Sequence, residues 1–301
     1  MYDVIIAGGG PAGLTAALYC RRANKTALII EKGTFGGQIT FSPKVENIPG
    51  FLQVTGNEFA EKLVEQVLEQ GAEVECAEVL EIKDGDIKTV ITDSGRFEAK
   101  AVIIAAGAKH RLLGLENEEE LIGNGISFCA VCDGAFYNGK TVAVIGGGNS
   151  ALQEALLLAD IAKKVYVIQN LDRLTGEDKL CKQLEARENV EIITGTVVKK
   201  LLGDESLTGI VTERVSDGSL TEIALDGMFT AIGLVPQNEA FSGIVQLDGS
   251  GYVDADESCL TSAKGIFTAG DCRRKKVRQV ATAAADGAIA AVAACDYIDN
   301  M

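Results

Sequence analysis

The sequence predicts an α/β protein containing two Rossmann-like dinucleotide-binding domains. Three observations predict it. Gly8-Gly9-Gly10-Pro11-Ala12-Gly13 follows a short apolar run. Gly146-Gly147-Gly148-Asn149-Ser150-Ala151 repeats that arrangement near the middle of the chain. Cys129-Ala130-Val131-Cys132-Asp133 stands between the two turns. Two dinucleotide-type loops around a vicinal dithiol point to electrons moving from a cofactor to a disulfide.

Residues 2–7 are apolar and β-branched, the pattern of a buried parallel strand. The glycine turn comes next, then a helix over Leu14–Arg22 and a strand over Thr26–Ile30 that ends in Glu31. In such a unit Gly8 makes the tight turn, Gly10 admits a pyrophosphate to the backbone, and Gly13 lets helix and strand pack closely. The phosphates would sit at the helix N-terminus, where free N–H groups favour anions. Glu31 is placed to accept the ribose hydroxyls of an adenosine.

Gly33-Thr34-Phe35-Gly36-Gly37-Gln38 is a loop that lets the backbone lie against a ligand, and Glu46–Phe51 is a turn stretch. Residues 57–70 predict an amphipathic helix with Phe59, Leu63, Val64, Val67 and Leu68 on one side. Residues 73–105 predict short strands, closing in the turn Ala106-Gly107. His110, the only histidine, is expected at the surface or at a hinge, and a lone histidine excludes a histidine-rich metal site.

The dithiol admits three readings: half a zinc site, a redox pair, or nothing. Zinc needs about four ligands, and no second paired cluster is present. The redox reading fits the flanking loops: a thiolate at the start of a helical turn has a lowered pKa, and the other cysteine resolves the mixed disulfide. Asp133 supplies a carboxyl that can protonate a leaving thiolate. The other six cysteines are scattered singly, unlike a disulfide framework, and are expected to be small buried side chains.

Thr141–Ile145 then repeats the opening, with a helix through Leu158 and a strand over Val165–Ile168. The same 23-residue spacing leads from Gly8 to Glu31 and from Gly146 to Gln169, so an amide replaces the ribose-reading acid. Residues 177–242 continue as helix, strands and loops to the Gly233–Pro236 turn. Gly265–Asp271 predicts another strand, and an Ala-rich helix covers roughly 279–297, interrupted by Asp286-Gly287. Between them Arg273, Arg274, Lys275, Lys276 and Arg278 crowd into six residues of an otherwise acidic chain.

The 301 residues, 47% of them apolar and 24% charged, suffice for two domains with separate cores. A formal charge of −15 argues against nucleic-acid and anionic-membrane binding. The first apolar run is too short and too interrupted for a signal peptide, and no uninterrupted apolar run reaches membrane-spanning length. A cytoplasmic location is expected.

In the order GGGPAG, GGQ, ENIPG, CAVCD, GGGNSA, GLVP and GDC with RQV behind it, nearly the whole chain resembles the low-molecular-weight bacterial thioredoxin reductases. The resemblance implies two three-layer domains, the second inserted into the first. These are an FAD domain (1–112 and 243–301) and a pyridine-nucleotide-type domain carrying the dithiol (113–242). It implies FAD, thioredoxin as partner and a homodimer. With the glycine turn, it gives as cofactor residues Gly8, Gly10, Pro11, Ala12, Gly13, Glu31, Lys32, Gly37, Gln38, Asn47, Ala106, Gly107, Gly270, Asp271, Arg278, Gln279 and Val280. Asp271 would contact the ribityl chain and Gln279-Val280 the isoalloxazine. Cys132 would face the flavin, Cys129 would exchange with thioredoxin, and Asp133 would act as the acid.

One departure bears on the electron donor. The family's NADPH-reading HRRxxxR falls on Gln169–Thr175, where only Arg173 is cationic. The chain is also similar to the ferredoxin-linked flavin thioredoxin reductases, which do not use pyridine nucleotides. Reduced ferredoxin is therefore expected ahead of NADH, and NADH ahead of NADPH, with residues 273–278 as a landing point for an acidic ferredoxin. A reading of another class is a flavin-bound redox sensor or docking module; Asp133 beside the dithiol favours an enzyme. A peroxiredoxin-reductase relative would carry a further N-terminal region before the first strand.

Overall fold

Full burial of Val4–Ala7 makes β1 (Tyr2–Ala7) a central strand. It turns through Gly8 into α1 (Pro11–Arg22) and returns as β2 (Ala27–Glu31). The helix opens before the expected Leu14, because proline fits the first helical position, where no N–H is needed. α2 (Gly56–Glu69) starts with a capping box of Thr55 and Glu58. Phe59 and Val67 of its apolar side are buried, whereas Leu68 is exposed. Four strands follow: β3 (Glu73–Cys76), β4 (Val79–Lys83), β5 (Lys88–Thr92) and β6 (Arg96–Ile104). The computed structural model describes residues 1–42 and 44–301.

After β7 (Ala108–His110) come β8 (Ile126–Ser127), the short α3 (Ala130–Asp133), β9 (Thr141–Ile145), α4 (Asn149–Ala159) and β10 (Lys164–Ile168). Next are α5 (Asp178–Glu185), β11 (Val190–Ile193), β12 (Thr196–Leu202), β13 (Gly209–Arg214), β14 (Leu220–Ala224) and β15 (Gly227–Thr230). β16 (Leu234–Pro236) pairs with β7, and the chain ends with β17 (Ile266–Thr268) and α6 (Val280–Asp299).

The chain divides into two units, Met1–Lys109 with Val235–Met301, and His110–Leu234. Each is three-layered. In the first, a parallel sheet of order β3-β2-β1-β6-β17 carries α1 and α6 on one face. The antiparallel β4–β5–β6 meander branches from β6. In the second, parallel β11-β10-β9-β15-β8 is covered by α4 and α5 on one side, and the antiparallel β12–β13–β14 sheet lies beside a second apolar cluster. The divisions fall after Lys109 and Leu234, not after 112 and 242. Phe241 and Val245 pack in the first unit's core, and the Asn238 amide donates to the Cys272 carbonyl at 2.7 Å, which ties 235–242 to the first unit.

α1 and α6 come together from the two ends of the sequence. A Cβ on Gly287 would meet the Ala12 carbonyl oxygen at 2.2 Å, so only glycine permits that approach. α6, 20 residues close to the expected 279–297, has a mean hydropathy of 1.2, long and apolar enough to cross a membrane by length and composition alone. It packs instead into the first unit's core through Ala283, Ala290, Ala291, Ala294 and Ile298.

The cationic stretch 273–278 is not a surface patch. Arg273 is 1% exposed and donates through Nε and Nη2 to both oxygens of buried Asp286 at 2.8 Å. The Lys275 side chain, 4% exposed, reaches the same carboxylate at 2.8 Å. Arg278 lies 4.3 Å from the Tyr252 ring centroid. Only Arg274 and Lys276 are exposed, and Arg274 pairs with Asp254 at 3.0 Å. The sequence displays the charges but hides their partner, which sits in an apolar helix 13 residues from Arg273. Of the six other cysteines, four are buried as expected; Cys76 is exposed and Cys181 half-buried.

Candidate active site

In the first unit the glycine turn forms a cradle at the N-terminus of α1. Gly8 has φ 120°, and its Cβ position lies 2.2 Å from the Ala105 carbonyl, which ties the turn to Ala105-Ala106 at the end of β6. A Cβ on Gly13 would meet the Gly8 carbonyl at 1.9 Å, so this glycine is needed for packing alone. Gly10 differs. Its Cβ position is open, with the Gly36 carbonyl 4.0 Å away, and a Cβ on Gly37 would lie 3.4 Å from the Gly10 Cα. The Gly36 N–H donates to the Gly9 carbonyl at 2.8 Å, holding the second glycine loop against the first.

Glu31 is fixed by two backbone donors, Gly9 N–H to Oε2 at 2.7 Å and Gly33 N–H to Oε1 at 2.8 Å. Lys32 turns to Glu78 at 2.8 Å, both exposed. Asn47 donates to the Gln279 side chain at 3.1 Å, joining residues 232 apart. Gln279 caps α6, whose first residue Val280 packs with Val45, Ile48 and Phe59. Gly270 sits on Ala12, 2.8 Å from its Cβ position. Thus the turn carrying Pro11, Ala12 and Gly13 also receives Gly270. Arg278 donates to the Asp271 carbonyl at 3.4 Å.

Asp271 bears on the cofactor. Its Oδ1 is buried without a hydrogen-bond partner. Burial pushes its carboxyl up, while Lys275 and Arg278 pull the other way. A buried orphan acceptor beside an open glycine cradle is what a ligand hydroxyl would satisfy. The residues therefore fit a large dinucleotide such as FAD.

The second unit carries the disulfide. Cys129 and Cys132 are bonded, with Cα atoms 5.3 Å apart, across the start of α3. The Cys132 N–H donates to Cys129 Sγ at 3.1 Å, and the Cys129 N–H donates to Ser127 Oγ at 3.2 Å. Ser127 in turn donates to Asp133 Oδ2 at 2.6 Å, and Asp133 Oδ1 is buried without a partner. Burial raises the Asp133 carboxyl; the Ser127 hydroxyl opposes it. A carboxyl that binds its proton more tightly than an ordinary aspartate thus lies beside the sulfur pair. Ser127 went unseen in the sequence, where nothing distinguishes it from a loop serine. His110, expected at a surface or hinge, stacks on Phe128 with centroids 4.4 Å apart, and burial pushes its pKa down to about 4.

The second glycine turn keeps its shape but not its chemistry. Gly146 has φ 127°, like Gly8. Gln169 occupies the place of Glu31, buried and 2.7 Å from the Cβ position of Gly147, with its amide turned toward the Arg173 carbonyl at 3.5 Å. The Gly147 carbonyl is tied down by the N–H groups of Thr175 and Gly176 at 2.7 and 2.9 Å. Asn149, the first residue of α4, accepts the Glu177 N–H at 2.7 Å and donates to the Glu177 carboxylate at 3.1 Å. An acidic group therefore stands at the helix start where a pyrophosphate would be received.

Two Rossmann-type units, a glycine cradle beside the orphaned Asp271 carboxylate oxygen in one and a disulfide beside Asp133 in the other, define a flavoprotein disulfide oxidoreductase. The pyridine nucleotide-disulphide oxidoreductase family matches residues 2–287. The chain is 41% identical to a thioredoxin reductase of Listeria monocytogenes over 303 residues, covering 100% of this chain and 95% of that protein. It is 40% identical to a thioredoxin reductase of Bacillus subtilis, covering 100% and 96%. The crystal structure of thioredoxin reductase from Streptococcus pyogenes superimposes with a TM-score of 0.95 at 40% identity, covering 100% and 99%. The chain belongs to the thioredoxin reductase family. Its cofactor is FAD, and it is an enzyme rather than a docking module.

Proposed function

We propose that the protein reduces the disulfide of thioredoxin through FAD and the Cys129–Cys132 pair, taking its electrons from reduced ferredoxin rather than from a nicotinamide. The observation that carries the donor is the second glycine turn. NADPH needs cations for its 2′-phosphate and NADH a carboxylate for its ribose diol, and the turn offers Gln169 and an acid, Glu177, beside its helix start. Each lost charge-assisted hydrogen bond is worth about 1–3 kcal/mol, roughly ten- to a hundredfold in affinity. NADH is the second reading, because the turn at Gly146 is itself intact. The buried state of Arg273 and Lys275 leaves Arg274 and Lys276 as the cations of the 273–276 segment that can meet an acidic partner.

When bound, FAD accepts electrons singly or in pairs and passes a pair to the disulfide. In this reading the N–H groups of the Gly8–Gly13 turn hold its pyrophosphate, Glu31 its ribose hydroxyls and Asp271 a hydroxyl of its chain. Gly37, Gln38, Asn47, Ala106, Gly107, Gly270, Arg278, Gln279 and Val280 complete the wall, and Lys32 lies at its edge. Cys129 attacks the thioredoxin disulfide, Asp133 protonates the departing thiolate, and Cys132 closes on Cys129 to release the product. Val131, 63% exposed between the two cysteines, gives thioredoxin an apolar contact.

The donor is tested by anaerobic flavin absorbance during titration with NADPH, NADH and reduced ferredoxin. Ferredoxin is expected to bleach the flavin at stoichiometric amounts, at a rate that falls with added salt. Saturable bleaching by micromolar NADPH or NADH returns the protein to nucleotide dependence. The cradle has its own test. Gly10→Val has room in the protein alone, so it should fold with an unchanged far-ultraviolet spectrum yet purify with little flavin. A fully yellow variant removes Gly10 from the site.

A further inference from the structure

α4 holds a carboxyl that neither the glycine turn nor the disulfide exchange uses. Glu154 lies in the middle of this helix, and its Oε2 is buried with no hydrogen-bond partner. The polar group nearest in effect is the backbone N–H of Ala130. Ala130 is the residue after Cys129 and opens α3, which packs on α4. A half-buried glutamate with one fully buried oxygen therefore lies against the redox turn, at the peptide that follows Cys129. Burial pushes its carboxyl up to about 7, with the Ala130 N–H working against the rise.

The other elements packed against α4 offer few competing charges. α3 carries Asp133, the 134–137 turn carries Tyr137, α5 carries half-buried Cys181, and β10 carries Lys164 and Tyr166. The charged residues of α5 are exposed, and β9 has none. Burial, then Asp133 and Asp226, raises the Tyr137 phenol, whereas no neighbouring charge joins burial and the Ala130 N–H in acting on Glu154.

We infer that Glu154 is a positioning residue for the disulfide, whose proton content sets how readily Cys129 carries negative charge once the pair is reduced. The inference rests on the Cys129–Cys132 pair being the redox centre. Reduction breaks the S–S bond, adds two electrons and takes up two protons if both sulfurs end as thiols, or one if Cys129 remains a thiolate. The Cys132 N–H on Cys129 Sγ favours that thiolate. A neutral Glu154 leaves it unopposed. An ionised Glu154 places a like charge beside it in a poorly solvated site, and each charge then raises the pKa of the other. Below neutral pH the proton on Glu154 protects the thiolate; above it the two groups compete for one negative charge.

The test is the rate of Cys129 alkylation by iodoacetamide in the reduced holoenzyme between pH 5 and 9, read by mass spectrometry. Wild type is expected to show two coupled steps. Glu154→Gln keeps an acceptor for the Ala130 N–H but no charge. It should show one step, equal to wild type near pH 6 and about three- to tenfold faster near pH 8. The midpoint potential of the pair, equilibrated against dithiothreitol, should likewise coincide at pH 6 and diverge at pH 8. A merely structural glutamate would change the melting temperature and leave both profiles superimposable. Superimposable profiles, or a single step in the wild type itself, overturn the inference. A wild type whose Cys129 never reacts after reduction removes instead the redox-pair reading beneath it.

Discussion

Serine at either position 129 or 132 is expected to bring thioredoxin reduction down to the uncatalysed background while flavin content stays normal. The pair is the only disulfide among the described residues, and the remaining cysteines are single and mostly buried. No other sulfur among them is bonded to stand in. The two variants should fail differently. In Cys132→Ser the surviving Cys129 keeps the backbone N–H that now points at its Sγ, so it should trap thioredoxin as a stable mixed disulfide. Cys129→Ser should trap none. Asp133→Asn, which cannot give up a proton, should slow turnover by roughly a hundredfold or more. Either serine variant retaining substantial turnover in a coupled insulin-reduction assay removes the dithiol from the mechanism.

The largest loss of stability is expected from Asp286→Ala. Its carboxylate is the common partner of Arg273 and Lys275, whose side chains are 1% and 4% exposed. Removing it strands the Lys275 side chain and leaves Arg273 only its 2.9 Å pair with exposed Glu257, and breaking even one such buried pair costs about 3–5 kcal/mol. Arg274→Ala, at an exposed pair with Asp254, should change stability by less than about 1 kcal/mol. Burial alone would push the Asp286 carboxyl up. The hydrogen bonds from Arg273 and Lys275 outweigh it and hold the carboxyl below the ordinary carboxylate range. The group's contribution is therefore complete above its unfolded pKa, about 4, and is lost as pH falls through the folded value. Thermal melts of both variants from pH 7 down to pH 3 check this. A wild-type-like melt for Asp286→Ala at pH 7 would show that the cluster carries no stability.

What was legible in the sequence was whatever backbone geometry forces on residue type. Gly8 and Gly146 turn at positive φ against a carbonyl, and Gly13 admits no side chain at all, so the two turns and the strands before them could be read directly. The dithiol was legible by spacing. What could not be read was which polar groups the fold would bury. Asp286 looked like a break in an apolar helix and the 273–278 cations like a landing point for an acidic partner, yet Asp286 and the side chains of Arg273 and Lys275 are each the other's reason for being inside. Ser127 and Glu154 left no pattern, because their significance comes from a neighbour brought in by tertiary packing. The division at 234 was hidden for the same reason: Phe241 joins a core assembled mainly from other segments.

The pairing of α1 with α6 also orders the birth of the molecule. During synthesis the second unit emerges as one uninterrupted segment, His110–Leu234, and has everything its own sheet and helices require. The first unit does not. Its strand β1 and helix α1 leave the ribosome before the second unit, but the helix that fills the seam against Ala12 and Ala16 follows that unit. Until then the glycine cradle lacks Gly270 and its wall lacks Gln279. The long-range contacts of β1 and α1 must thus wait for the inserted unit to be made.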